Sequence, residues 1–510
     1  MRRSFILLTS ALLLAIVGAS ALTRQDEPIA SLADRYPNAI PTSPASVRSE
    51  VCQDDAPIGA PRGFNLHAAV PADAVVQGQY AELGRCGSLL LADGATGEPL
   101  SGFATINAGH SLYGATSPDG SLFAAVIYPS GRMTQVEELH FYDLNTWRPV
   151  FAIKDRALRG DLVWSPDSQF LYLLHWDDGS IWQVDTLTRA AAKVMETGLL
   201  GDLMISADGA TLYVFGSSET NPTPQMGNVY SPWRDTEEPF LSVIDTATWK
   251  ETRRLSFPTV FLESDEASNH HGVALSSTDN RLYVAHADSE AITVVDLDSF
   301  EMRDHGVQQA NRPGLPSRLL TAVTSLFVSS AEAKGGDYNH RTAEVSLDGR
   351  HLFTTASRFR WNDDSMQPLG LLVFDTRTMG PVSRVPDLSE LWLSADGRKI
   401  IAAGLSRESV GHDFVYSLYG PNLIDAQQPG VLGQSATATW EGQSTRYDAS
   451  FSLTGRFAHF VRFVPWDQLW SDEPSPCPHT DGCSELTIID THSGEIINVR
   501  KVEGVSIFLP

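Results

Sequence analysis

Two histidine-bearing segments are the parts of this chain best equipped for chemistry. The first is Asn269-His270-His271-Gly272, which follows the acidic run Glu263-Ser-Asp-Glu266; the second is Asn339-His340-Arg341. Imidazoles beside carboxylates bind transition metals or shuttle protons, and an adjacent guanidinium clamps anions. Their spacing follows a turn that recurs along the chain, Ser-x-Asp-Gly or a close relative. Six residues before each turn serine the chain reads Ser111, Arg159, Leu200, His270, His340, Leu388 and Arg446. Five before, it reads Leu112, Gly160, Gly201, His271, Arg341, Ser389 and Tyr447, with Asp161, Asp202 and Asp448 next in line. If those positions begin the inner strands of a ring of sheets, they gather at one mouth of a central channel. The candidate set is then His270, His271, His340, Arg341, Arg159, Arg446, Asp161 and Asp202, with His270 and His340 as candidate metal ligands. The same side chains have a plainer use, bonding carbonyls in a wet channel, and composition alone leaves both open.

Other catalytic patterns are missing from the sequence. There is no Gly-x-Ser-x-Gly elbow, Cys-x-x-Cys-His, Gly-x-Gly-x-x-Gly or Walker loop. The acidic loops Trp176-Asp-Asp-Gly179 and Asn362-Asp-Asp364 lack the twelve-residue frame of an EF-hand, so solvated surface acids are expected there. Trp147, Trp249 and Phe300 each follow a strand-ending Asp by four residues, and that repeat-locked place predicts packing rather than a carbohydrate platform.

The turn begins at Ser117, Ser165, Ser206, Ser276, Ser346, Ser394 and Ser452. Short apolar runs flank each copy, for example Gly272-Val-Ala-Leu275 and Arg281-Leu-Tyr-Val-Ala285. This is a hairpin: the Asp accepts nearby backbone N–H groups, and the Gly takes the positive φ of a tight reversal. A second motif follows in most copies, an apolar strand ending in Asp and then a Thr or Ser turn, as in Val243-Ile-Asp-Thr-Ala-Thr248 and Ile488-Ile-Asp-Thr-His-Ser493. The copy after Ser394 keeps only Leu423-Ile-Asp425. Each unit is thus four antiparallel strands. Both faces of runs such as Leu371-Leu-Val-Phe374 are apolar, so each sheet needs a neighbour on both sides, which radial stacking provides.

Arg281-Leu-Tyr-Val-Ala-His286 with Ala291-Ile-Thr-Val-Val-Asp296, and Thr211-Leu-Tyr-Val214 with Ser242-Val-Ile-Asp-Thr-Ala-Thr248, resemble the YVTN-type (WD40-like) β-propeller repeat. The resemblance implies an all-β, seven-bladed propeller of four-stranded blades over residues 86–510. It leaves function open, since that superfamily includes lactonase-like enzymes, amine-dehydrogenase subunits and plain binding proteins. Ser88-Leu-Leu-Leu-Ala-Asp93 looks like half a unit and Gly504-Val-Ser-Ile-Phe-Leu509 like a lone inner strand. The ends are therefore expected to meet, by terminal closure or as a partial eighth blade.

Arg2-Arg3, the apolar run Phe5 to Val17 and Ala19-Ser20-Ala21 predict a signal peptide over residues 1–21; twin-arginine export and an uncleaved anchor are the alternatives. Residues 22–85 read as a flexible, partly disordered N-terminal arm. Four cysteines in an exported chain predict the disulfides Cys52–Cys86 and Cys477–Cys483. The formal charge is −25, from 37 basic and 62 acidic residues, which argues against binding nucleic acid or anionic membranes. Together these features predict a secreted or periplasmic propeller that binds a protein, peptide or glycan through its loops and channel mouth. The alternative is a propeller enzyme of lactonase-like or dehydrogenase-subunit kind with the His/Arg mouth as its site. No cofactor is specified by the sequence.

Overall fold

The computed structural model describes residues 69–80, 87–109, 113–127, 137–155, 160–175, 178–217, 239–257, 269–286, 291–306, 337–360, 365–394, 396–410, 413–429, 431–434, 438–441, 447–465, 482–503 and 505–508, with two-residue strands at 40–41 and 61–62. Every regular element among them is a β-strand. The predicted signal, Arg159, Arg446, Cys52, Cys86 and Cys477 lie outside the described residues, as does the side chain of Cys483.

The strands form seven hydrogen-bonded sheets, and the eleven-stranded one contains two four-stranded units, so eight units are present among the described residues. We number them I to VIII in the order in which they pack. Units II to VIII each run inner, second, third and outer strand in chain order, as the repeat predicts. Their inner strands are Tyr113–Thr116, Gly160–Trp164, Leu200–Ile205, Gly272–Ser276, Asp337–Val345, Glu390–Leu393 and Tyr447–Phe451. Unit I joins the ends of the chain. Val505–Phe508 is its inner strand, antiparallel to Val75–Tyr80, and Gly87–Ala92 and Thr105–Gly109 complete it.

Closure is thus a full four-stranded sheet rather than a fragment. The propeller also begins earlier than residue 86, because Val75–Tyr80 is a strand of unit I. Farther out, Pro61–Arg62 pairs with Thr105–Gly109, and Ile40–Pro41 pairs with the outer strand of unit III, Ala190–Glu196. Those two pieces of the predicted arm therefore add strands to the outer edges of two units.

Apolar layers fill every wedge between units. Val76 of unit I packs with Phe123 of II, Phe141 of II with Leu171 of III, and Leu174 of III with Leu212 of IV. Phe215 of IV meets Leu282 of V, Tyr283 of V meets Leu352 of VI, and Phe353 of VI meets Ile400 of VII. Ile401 of VII packs with Ala458 of VIII, and Phe457 of VIII with Val75 of I, which closes the circle. Residues alternate between the two faces of a strand, so each sheet supplies one set of side chains to each neighbour. This cyclic order of four-stranded antiparallel sheets defines a β-propeller.

Local bonds explain the repeat. In five turns the serine hydroxyl donates to the Asp carboxylate two residues on, as Ser206 does to Asp208 at 2.6 Å, and in most the serine oxygen also accepts the N–H five residues on. The second motif's Asp caps its turn from Oδ1, as Asp245 does for the N–H groups of Ala247 and Thr248. Asp425 caps Gln427 and Gln428 in the same way, so the degenerate copy in unit VII keeps the bond while losing the Thr. Four residues after the cap the backbone is left-handed even where the side chain is large, with φ of 53° at Trp147 and Trp249 and 60° at Phe300. That turns the aromatic back into the wedge. Trp147 is fully buried and its Nε1–H donates to the Ala104 carbonyl of unit I at 2.9 Å.

Candidate functional site

Each inner strand starts at the channel mouth and runs to its turn. The residue five before the turn serine faces the preceding sheet, and the residue four before faces the following one. This parity follows from the wedge in which later residues of the same strand are packed, such as Val273 toward unit IV and Ala274 toward unit VI.

The candidates are accordingly distributed over adjacent wedges. Just ahead of the inner strand of unit V, Asn269–His270 pairs in parallel with the start of unit VI, and His270 stands opposite His340. The side chains of both lie outside the description. His271, 4% exposed, faces unit IV, where Phe215 meets it edge-on at 6.2 Å. Asp202 faces unit V and so looks into the same wedge. Arg341, 7% exposed, faces unit V across the V/VI wedge. Asp161 ties units III and IV: its Oδ2 accepts the Leu203 N–H at 2.8 Å and its Oδ1 that of Leu162 at 3.1 Å. Among the described residues the mouth is therefore a row of separate side-chain contacts rather than one cluster. Among the described residues no three His, Cys, Asp or Glu side chains are grouped to hold a metal ion. Asp178, from one of the acidic loops, is committed to His175 Nδ1 at 2.8 Å and to Lys193.

The inner strands also bring carboxyls that the sequence reading passed over. Glu390, four before its turn serine, faces unit VIII, and Glu344, two before its own, faces unit VII. Asp202, Glu344 and Glu390 are half-buried, and each is pushed up to about 7 by burial. For Glu390 a hydrogen bond with the Tyr447 side chain works against that push, while the charge of Asp448 adds to it. The Tyr447 hydroxyl, within 3.3 Å of the Ser389 hydroxyl, is itself held well above its ordinary value by burial and by Glu390. Glu390 sits at the same four-before position as Asp161, Asp202 and Asp448, and Glu344 lies two residues nearer its turn.

A second addition is a hydrogen-bonded chain beside His271. His286 lies edge-on to it, ring centres 5.4 Å apart, and its Nε2 is 2.7 Å from the Thr293 hydroxyl, which donates to the exposed Asp304 carboxylate at 2.6 Å. With the hydroxyl proton directed at Asp304, His286 must donate from Nε2. These groups lie on the second, third and outer strands of unit V. The one signal for them in sequence is that His286 holds the same place as His175, ten residues after the turn serine.

Neither a protein-family model nor a curated protein matches the chain. Solved structures do. A dihydro-heme d1 dehydrogenase, NirN, in complex with DHE is 14% identical over 88% of this chain and 77% of that one, with a TM-score of 0.46. The Pseudomonas aeruginosa periplasmic gluconolactonase PpgL is 12% identical over 72% of this chain and 99% of that one, TM-score 0.43. The WD40 domain of SCAP from fission yeast is 11% identical over 77% and 86%, TM-score 0.35. The fold stands on the sheet order above. Among the described residues no helix is long and apolar enough to cross a membrane.

Proposed function

We propose that this protein is an exported binding module of the YVTN-repeat kind whose channel mouth takes a cationic group of a protein or peptide partner. The carrying observation is that Asp202, near the mouth end of its inner strand, carries a carboxyl pushed up to about 7 by burial alone, with no cation among the described residues drawing it down. A bound ammonium or guanidinium would supply that cation, and the chain's net charge of −25 favours a basic partner at long range.

The linkage provides the test. A cation stabilises the ionised carboxylates, so binding expels protons and strengthens as pH rises through 7. Ordinary surface acids, ionised throughout, give a flat profile. The measurement is calorimetric titration of an oligolysine peptide into the chain from residue 22 onward between about pH 6 and 8. The expected result is rising affinity with proton release, both lost in the Asp202→Asn variant. A flat profile, or an Asp202→Asn variant that binds like the parent, refutes the reading. Export is checked by the intact mass of the secreted product, which should lack residues 1–21.

A second reading rests on His271 beside the His286–Thr293–Asp304 chain: acid–base chemistry at the mouth with His271 as the proton-handling group. It predicts a turnover abolished by His271→Ala. A lactonase-like hydrolysis is the first to assay, following the repeat resemblance.

A further inference from the structure

On the face opposite the mouth, consecutive turns touch. Ser168 of unit III accepts the Asp119 N–H of unit II, and the Pro166 ring lies against Gly209 of unit IV. Thr278 of unit V donates to the Leu347 carbonyl of unit VI, and Leu347 lies against Gly397 of unit VII. Asp396 approaches Gly455 of unit VIII, whose Thr454 bonds Asp73 of unit I. Between the turns of units IV and V a cleft of about 440 Å³ opens instead, walled by Asp208 on one side and Asn280 on the other.

The turn of unit V explains the gap. Its left-handed residue is Asn280, φ 50°, one place later than Gly209 in unit IV. Its carboxylate, Asp279, bonds Arg281 and the Tyr283 hydroxyl rather than the turn serine. The hydroxyl of Ser276 is buried without a hydrogen-bond partner. The turn leans on unit VI through Thr278 and leaves its other side open.

We infer that this cleft is a carbohydrate subsite for one or two pyranose rings, separate from the channel mouth. Its volume lies in the ~300–1,000 Å³ range of small-molecule sites, which combine an apolar lining with a few placed polar groups. The lining is mixed and more polar than apolar, as suits a polyol: Phe300, Val243 and Leu297 are the apolar part, for the C–H face of a sugar, and Thr211, Tyr213 and Asn280 carry hydroxyl and amide groups. Asp208 uses Oδ1 for both of its turn bonds, to the Ser206 hydroxyl and the Ala210 N–H, which leaves Oδ2 toward the cleft. Those bonds hold its carboxyl below the ordinary range, so it is ionised at neutral pH, while burial and the nearby Asp208 and Asp298 keep the Tyr213 phenol protonated. A charged acceptor next to neutral donors suits a polyol, and an amino sugar more than its neutral counterpart. Phe300 departs from the other repeat aromatics in lining this cleft, with the Arg253 guanidinium 4.2 Å from its ring centre.

The test is saturation-transfer NMR and calorimetry of the chain from residue 22 onward with cellobiose and with the β-1,4-linked glucosamine dimer. Saturable binding is expected for both, tighter for the amino sugar. Asp208→Asn should weaken the amino sugar by about ten-fold and cellobiose less, Tyr213→Phe should weaken both by a few-fold, and Phe300→Ala should remove both at some cost in melting temperature, because its ring also packs in the IV/V wedge; an unchanged melting temperature in Asp208→Asn is the check on folding. The Asp202→Asn variant should bind both sugars like the parent, which separates this site from the mouth. No saturable binding of either sugar, or amino-sugar binding untouched by Asp208→Asn, overturns the inference.

Discussion

Acidifying the protein should loosen the seam between units VIII and I, and His459 is the group to follow. Its side chain is fully buried in the VIII/I wedge, and its Nε2–H donates to the Gly94 carbonyl of unit I at 2.6 Å. Burial pushes the imidazole down to about 4, although the Gly94 bond and the Asp93 charge pull it back up. In the unfolded chain the same ring takes its proton near the ordinary 6.5. Between these two values the unfolded state binds more protons than the folded one, so stability falls as pH falls from 6.5 to 4 and levels off below. At 1.36 kcal/mol per unit the full loss is about 3 kcal/mol. His459→Gln keeps a donor for Gly94 and removes the titration. The assay is urea unfolding followed by tryptophan fluorescence, parent against variant, at several values from about pH 7.5 to 4. The carboxylates common to both proteins cancel in the difference. The variant should be equal or slightly weaker at neutral pH and should gain on the parent by about 3 kcal/mol near pH 4. Parallel curves would refute a neutral, buried His459 and with it this account of the seam.

Trp147→Ala removes a fully buried ring and its bond to Ala104 from the I/II wedge, and should cost about 3–5 kcal/mol in denaturant unfolding. Gly160 and Gly120 make a contrasting pair for alanine substitution. A Cβ at Gly160 would stand 1.9 Å from the Leu174 carbonyl oxygen, so the inner strand must shift, at a cost of about 1–3 kcal/mol or more. At Gly120 it meets nothing within 4 Å but inherits a φ of +68°, so only the left-handed backbone term of about 1 kcal/mol should appear. Both are read from thermal and urea melts.

The repeat was readable because its bonds are local. A turn serine finds its partners two and five residues away, and a capping Asp finds its own two and three residues away, so spacing alone determines strand ends and register. Unit I was only half readable for the converse reason. Its inner strand comes from residues 505–508, and Val75–Tyr80 carries Gln77-Gly-Gln79 where the other second strands are apolar. Local pattern therefore placed this strand in the arm. At the mouth, the backbone pairs His270 with His340 in parallel, a neighbour relation that repeat spacing can carry. Which wedge a side chain enters depends on strand parity, which only the packed sheets reveal. The hydrogen-bonded chain beside His271 crosses three further strands of unit V and leaves almost no trace in spacing.

That parity also decides where chemistry is worth seeking. Four of the seven positions four before a turn serine carry a carboxyl: Asp161, Asp202, Glu390 and Asp448. Where the following sheet offers a donor, the carboxyl becomes a tie between sheets, as Asp161 is to Leu203 N–H and Glu390 is to Tyr447. Such a group is occupied by the architecture, and replacing it should be felt first in stability. Asp202 differs, since its shift comes from burial alone and strand parity turns it into the IV/V wedge that His271 also enters. A half-buried carboxyl that burial alone lifts to about 7, in the same wedge as an imidazole, is costly for a scaffold to keep and useful for binding a cation or moving a proton. The two readings of the mouth therefore converge on Asp202. Asp202→Asn should raise stability above pH 7, where the ionised carboxyl opposes folding, and should lower whichever activity the mouth has. If instead it lowers stability at every pH, Asp202 is one more tie between sheets, and the cation-binding reading of the mouth loses its carrying residue.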